Sequence, residues 1–164
     1  MKLLKTLVLA LTAVFAMNNF AVAETVVPTT GHGYGTTTSS TVISLADGST
    51  LIKQTTHEIW IGEPNATNFP IHTVADCHGT LLLSAEGAPM AFRGACSATD
   101  IDGDTFIATN GATKPDFSDC TWAMHGGSGK YAGVTGSGAC IPGGPITKDG
   151  NNTMFSWTGE FVLP

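Results

Sequence analysis

Five histidines, His32, His57, His72, His78 and His125, share the chain with Glu58 and Asp76. Imidazole and carboxylate are the groups that bind zinc, copper or iron and that move protons near neutral pH. Their order has no metal-ligand spacing. On a regular strand His57 and Glu58 point to opposite faces, and a bend between His72 and His78 would part those two. Dispersed surface or structural roles account for such an inventory, so no metal and no cofactor is assigned.

Three carboxylates alternate in Asp100-Ile101-Asp102-Gly103-Asp104, as they do in a calcium loop. The glycine stands at the fourth position and no later bidentate glutamate follows, which breaks the EF-hand pattern, so a hydrogen-bonded Asp-Gly turn is expected, with calcium binding as the lesser alternative. Aromatic side chains are a third resource. Trp60, Phe92, Trp122, Tyr131 and Trp157, with Phe106 and Phe155, are candidates to line a cavity for an apolar or aromatic ligand. Core packing is the plainer role for the same residues.

These side chains need elements to hold them, and the periodicity is that of strands. No stretch keeps helical periodicity for ten residues. Asp47-Gly48 separates an extended run ending at Ala46 from one reaching Ile61, and residues 62–69, with Pro64, Asn65 and Asn68, read as a loop. Strands are expected over 71–85 and 89–99, joined at Glu86-Gly87. A two-residue hairpin there sets Ala85 against Ala88 and Cys77 opposite Cys96, which predicts a disulfide, at a hydrogen-bonded position of the ladder. Leu81, Leu83, Met90 and Phe92 share the cysteine face. His78 and Arg93 share the other and can meet across the ladder. A short strand, Thr105 to Thr109, then runs into an Asn110-Gly111 turn signal. At the C-terminus Phe155, Trp157, Phe161 and Leu163 fall on one parity. The expected fold is all-β, a closed antiparallel barrel with a sandwich as the second choice.

Between Cys120 and Cys140 lies a run with six glycines, Gly126, Gly127, Gly129, Gly133, Gly136 and Gly138. It is no phosphate loop, because Lys130 is followed by Tyr131 and by no helix-forming run. Trp122 and Met124 alternate before the glycines, and Tyr131 and Val134 follow, so a strand, turn and strand are expected. A Cys120–Cys140 bridge fits the remaining pair, with interchange with Cys77 or Cys96 left open.

The segment from Gly126 to Gly138 resembles the signature of allene oxide cyclase-like and dirigent-like barrels, above all their bacterial relatives. Cys120-Thr121-Trp122, the turn from Ala98 to Asp104 and Trp157-Thr158-Gly159 are similar to companion features of that group. The resemblance spans residues 36–164 and implies an eight-stranded barrel. It implies a cavity in which a small hydrophobic or phenolic molecule is held in one conformation, so that its cyclisation or isomerisation is guided. It places the glycines in a turn and its flanking strands and assigns no catalytic residue.

Residues 1–23 read as a signal peptide: Lys2 and Lys5, an apolar run from Leu7 to Ala16, then Ala21-Val22-Ala23 before Glu24. Residues 24–35, rich in Thr and Gly, read as an extended N-terminal arm, and residues 36–164 as one barrel domain. The whole chain has 7 Lys or Arg against 13 Asp or Glu; without Lys2 and Lys5 the formal net charge is −8. Such a chain has no basic patch for nucleic acid or an anionic membrane. No later segment is apolar enough for stable insertion. A periplasmic or secreted protein follows, with an even cysteine count to match. The leading expectation is a barrel that binds a small hydrophobic or phenolic molecule, with His78, Arg93 and Glu58 as candidate catalytic groups. A non-enzymatic structural or interaction barrel, which can form a homo-oligomer, is the alternative, and a periplasmic metal-binding protein is the least favoured.

Overall fold

The computed structural model describes residues 24–64 and 72–164; the expected signal peptide, 1–23, and residues 65–71, part of the expected loop, lie outside the described residues. Eight strands follow one another: β1 Thr25–Ser44, β2 Thr50–Gly62, β3 His72–Leu83, β4 Pro89–Asp100, β5 Thr105–Ala112, β6 Thr121–Gly127, β7 Thr135–Pro145 and β8 Asn152–Leu163. Every neighbour in sequence is an antiparallel neighbour in space, and β1 also pairs with β8, which closes the barrel. Closure leaves no open sheet edge for other chains to pair with. A single turn of 3-10 helix, η1 (Gly129–Tyr131), lies between β6 and β7.

The 24–35 arm is corrected by this closure. Thr25 to Thr36 pair in register with Leu163 to Asn152, so the segment is the first half of a twenty-residue strand. Its glycines serve close packing rather than looseness. Gly31 and Gly33 face the lumen, and a Cβ there would lie 2.3 Å from Trp157 Cζ2 and 2.4 Å from Phe155 Cζ. They supply room for the aromatics of β8, the alternation of small and large that a small barrel needs inside.

The β3–β4 hairpin pairs Cys77 with Cys96 as expected, and the disulfide is present. The turn differs from the expected two-residue one. Ser84 N donates to Ala88 O, Gly87 adopts φ 82° at the end of a three-residue loop, and the register slips between Leu82 and Leu83. That slip moves the ladder phase by one. The cysteines therefore sit at the close, non-hydrogen-bonded spacing, with Cα atoms 4.0 Å apart. Met90, placed with the cysteine face, is 42% exposed at the hairpin's end. The second disulfide joins Cys120 to Cys140 across the β6–β7 hairpin. Gly126, Gly129 and Gly133 take positive φ in its turn.

Asn110-Gly111 is a second correction: β5 runs through both to Ala112. The pair is used for space. Asn110 turns inward over Gly94, whose absent Cβ would lie 2.4 Å from Asn110 Oδ1, and Gly111 lies outward beneath the stem of Arg93. The chain reverses later, where Asp119 accepts bonds from the Thr113 and Lys114 amides at 3.0 to 3.1 Å.

The best-buried core is at the end capped by η1. Tyr131 is 2% exposed and lies tilted against Phe106 at 4.7 Å, among Ala75, Ala98, Met124 and Val134. Beside it, the acidic turn between β4 and β5 proves to be an ion-pair socket. Asp100 Oδ1 accepts the Asp102 and Asp104 amides, and Lys130 Nζ lies 3.0 Å from Asp100 Oδ2, bonded to Asp102 and 3.9 Å from Asp104. Burial pushes the Asp100 carboxyl up; the bonds from Lys130, the two amides and Tyr131 outweigh it and hold the group below its ordinary value. Bonds with Asp102 and Asp100 raise Lys130 in turn.

Candidate functional site

Strand alternation aims Thr56, Glu58 and Trp60 of β2 into the barrel and His57 and Ile59 out of it. The inward three form a local hydrogen-bonded unit. Trp60 Nε1 donates to Glu58 Oε2 at 2.7 Å and Thr56 Oγ1 to Glu58 Oε1 at 2.8 Å. Small residues flank the carboxylate, Gly35 on β1 and Ala75 on β3, so its stem fits against the wall. A Glu58 oxygen and the sulfurs of Cys77 and Cys96 all lie within 4.8 Å of one another. Because those sulfurs are bonded to each other, they offer no thiolate to a metal. The carboxylate faces a disulfide and a ring system.

That ring system lines a cavity of about 120 Å³. Trp60, Trp122, Trp157, Phe106, Phe155 and Phe161 make most of its wall, and Tyr131 closes one end. Trp60 lies 6.4 Å from Trp157 and 5.9 Å from Phe106, tilted against each, and Trp122 is edge-on to Phe161 at 5.9 Å. Each indole nitrogen is satisfied: Trp122 Nε1 donates to Thr158 O at 3.1 Å and Trp157 Nε1 approaches Thr29 Oγ1 at 3.5 Å. The ring faces are thus left to the lumen. Glu58 and Glu63 are the carboxylates on the wall, with Asn110 as an added polar side chain.

Four of the five expected ligand residues, Trp60, Trp122, Tyr131 and Trp157, meet here. Phe92 does not line the cavity; it points inward nearer the β3–β4 turn and packs edge-on against Phe117 at 5.1 Å. The three candidate catalytic groups are not brought together. Glu58 lines the lumen, whereas His78 and Arg93 are exposed on the outer wall, with the sheet itself between them and the carboxylate. Parity had put those two on the face opposite the disulfide, and the disulfide face is the inside. His57 and Asp76 form an outer pair at 2.9 Å, and His125, also outside, bonds Thr109 at 2.8 Å. Asn110, Met124 and Phe161 were missed as lining residues. Phe161 shares the parity of Phe155 and Trp157, a signal that was present; Asn110 was masked by its resemblance to a turn.

The fold and the site define a closed eight-stranded antiparallel barrel, twice disulfide-bridged, whose aromatic lumen holds a hydrogen-bonded carboxylate. No family model, curated protein or solved structure matches the chain. Two disulfides fit an oxidising, extracellular environment, and among the described residues no helix is long and apolar enough to cross a membrane.

Proposed function

We propose that this is an exported barrel of the allene oxide cyclase-like and dirigent-like kind that binds one small phenolic or otherwise hydrophobic ring in its lumen. The ring lies among the tryptophans with its hydroxyl on Glu58. The observation that carries the reading is the Glu58 carboxylate, held by Trp60 and Thr56 inside an aromatic wall. A carboxylate has about four acceptor positions, and those two bonds leave some for a ligand donor. Volume selects the ligand class. Drug-sized ligands occupy roughly 300 to 1,000 Å³, whereas a dry cavity of about 150 Å³ takes benzene. At about 120 Å³ the lumen suits a single ring better than a long acyl chain. Any cyclisation or isomerisation would follow from holding one conformer away from water, with Glu58 placed to accept a proton or stabilise positive charge.

Quenching of tryptophan fluorescence during titration with phenol and with benzene tests this reading. Phenol should bind at least about tenfold more tightly, the worth of one hydrogen bond to a charged acceptor, and Glu58→Gln should remove most of that preference. Absence of saturable quenching by either compound would sink the proposal.

A second reading, an interaction barrel that assembles with copies of itself, is favoured by one feature of the outer wall. Met154, Tyr34, Ile59 and Val74 are cross-strand neighbours on β8, β1, β2 and β3, each at least 40% exposed. Such a row is unusual on a monomer's surface. Under this reading sedimentation gives a multiple of the chain mass that falls to one copy in Ile59→Lys; a monomer at all concentrations rejects it.

A further inference from the structure

His78 and Arg93 belong to a different feature from the lumen. They line a groove of about 560 Å³ on the outer wall of β1 to β4, together with Lys53 and the hydroxyl residues Thr41, Thr55 and Thr80. The ladder fixes their spacing. Lys53 and Arg93 each stand directly opposite Thr80, one on either side, so their backbones are two strand spacings apart, about 10 Å. His78, two residues before Thr80 on the same face, is diagonal to both at roughly 7 to 8 Å. Long cationic side chains at these distances can close on one ligand lying over Thr80.

The charge distribution makes the groove exceptional within this molecule. Past residue 23 the sequence has five Lys or Arg, and two of them are here, while no Asp or Glu lines the groove. The nearest acid on this face of β3, Asp76, is engaged by His57 at 2.9 Å. Lys130 shows the contrary arrangement, a cation held by three aspartates. Among the described residues, Lys53, His78 and Arg93 have no hydrogen-bonding or ion-pairing side-chain partner. Gly111 leaves room for Arg93 on its β5 side, where a Cβ would lie 2.7 Å from Arg93 Cδ and 3.2 Å from Nη1, so the guanidinium reaches a ligand over Thr80 by rotating about its stem.

We infer that this groove is a binding site for a small tetrahedral oxyanion, a phosphate or sulfate group on a small molecule, taken by Arg93 and Lys53 with Thr80 and His78 completing the contacts. Arginine's planar fork with a lysine and hydroxyls suits several oxygens at once. A polyanion such as nucleic acid is disfavoured, because the chain outside the groove is strongly acidic. The site is separate from the lumen and stands whether or not the barrel binds a ring.

The test is an NMR titration of the full exported chain with inorganic phosphate, sulfate and acetate, following the amides of Thr80 and Arg93. Saturable shifts are expected with phosphate or sulfate below about 10 mM, and acetate should bind about tenfold more weakly. Phosphate alone would point to a phosphate ester, sulfate alone to a sulfate ester. Lys53→Met and Arg93→Gln should each weaken binding about tenfold, and Lys148→Met should not. Raising salt should weaken binding in the unmodified chain, a check independent of any variant's folding. No saturation, equal binding of acetate, or unchanged affinity in Lys53→Met overturns the inference.

Discussion

Lys130 Nζ lies 3.0 Å from Oδ2 of Asp100, whose side chain has no exposed surface. The lysine comes from the glycine-rich turn and the aspartate from the β4–β5 turn, so the pair joins two hairpins at the capped end of the barrel. Removing one partner of a buried pair leaves the other charge without compensation. Lys130→Met should therefore lower the Tm, by roughly 5 °C or more in thermal denaturation. Adding Asp100→Asn to that variant should recover part of the loss.

The same carboxylate makes the barrel acid-sensitive. Asp100 is held below its ordinary value when folded, so its contribution is present above the unfolded value of about 3.9 and is lost as pH falls through the folded one. Urea midpoints measured from pH 5 downward should fall, and the slope in Asp100→Asn should be shallower below about pH 4.

Tyr131 predicts a response at the opposite extreme. Burial, then the neighbouring Asp100 carboxylate, raises its phenol far above the ordinary value, so the neutral form is stabilised and this contribution disappears as pH climbs beyond about 10. In Tyr34→Phe, which leaves Tyr131 as the sole tyrosine, phenolate absorbance should appear only together with unfolding by circular dichroism. Phenolate appearing earlier in an intact barrel would contradict the burial of Tyr131.

At Gly31 an added Cβ would lie 2.3 Å from Trp157 Cζ2 and 2.5 Å from the Ile61 carbonyl. Gly31→Ala should cost about 1 to 3 kcal/mol by overpacking and weaken ring binding through displacement of Trp157. Gly87→Ala, with φ 82° and nothing within 4 Å, should cost about 1 to 2 kcal/mol of backbone strain and leave binding intact. Chemical denaturation and fluorescence titration separate the two effects.

Each disulfide closes a loop of similar length, with sequence separations of 19 and 20. Replacing either pair by alanine should lower stability by about 3 kcal/mol in the chain-entropy account. Loss of Cys77–Cys96 should additionally alter phenol binding, because that bridge faces Glu58.

Glu58 illustrates what was legible in advance. Its opposition to His57 follows from strand alternation, and its choice as a candidate rested on residue type. Its bond to Trp60 is also an i, i+2 relationship on one strand and was open to inference. That this face is the lumen was not, since parity groups residues without saying which group is enclosed. Asn110-Gly111 shows the converse error: a dipeptide with strong local turn preference was held in a strand because Gly94 and Arg93, on the neighbouring strand, use the space beside it.

By itself, then, the sequence determined the period-two alternation, the positions of most turns, the Cys77–Cys96 register and the strand, turn and strand built on the glycine-rich run. All of these depend on residues close along the chain or joined by one hairpin. Only the tertiary structure decided that Thr25–Gly35 is barrel wall, that Glu58 faces aromatic rings while His78 and Arg93 face outward, and that Lys130 occupies the acidic turn. Those outcomes depend on β1 meeting β8 more than a hundred residues away. Closing the sheet is what divides every strand into an inside and an outside, and that division is a property of the whole ring of strands.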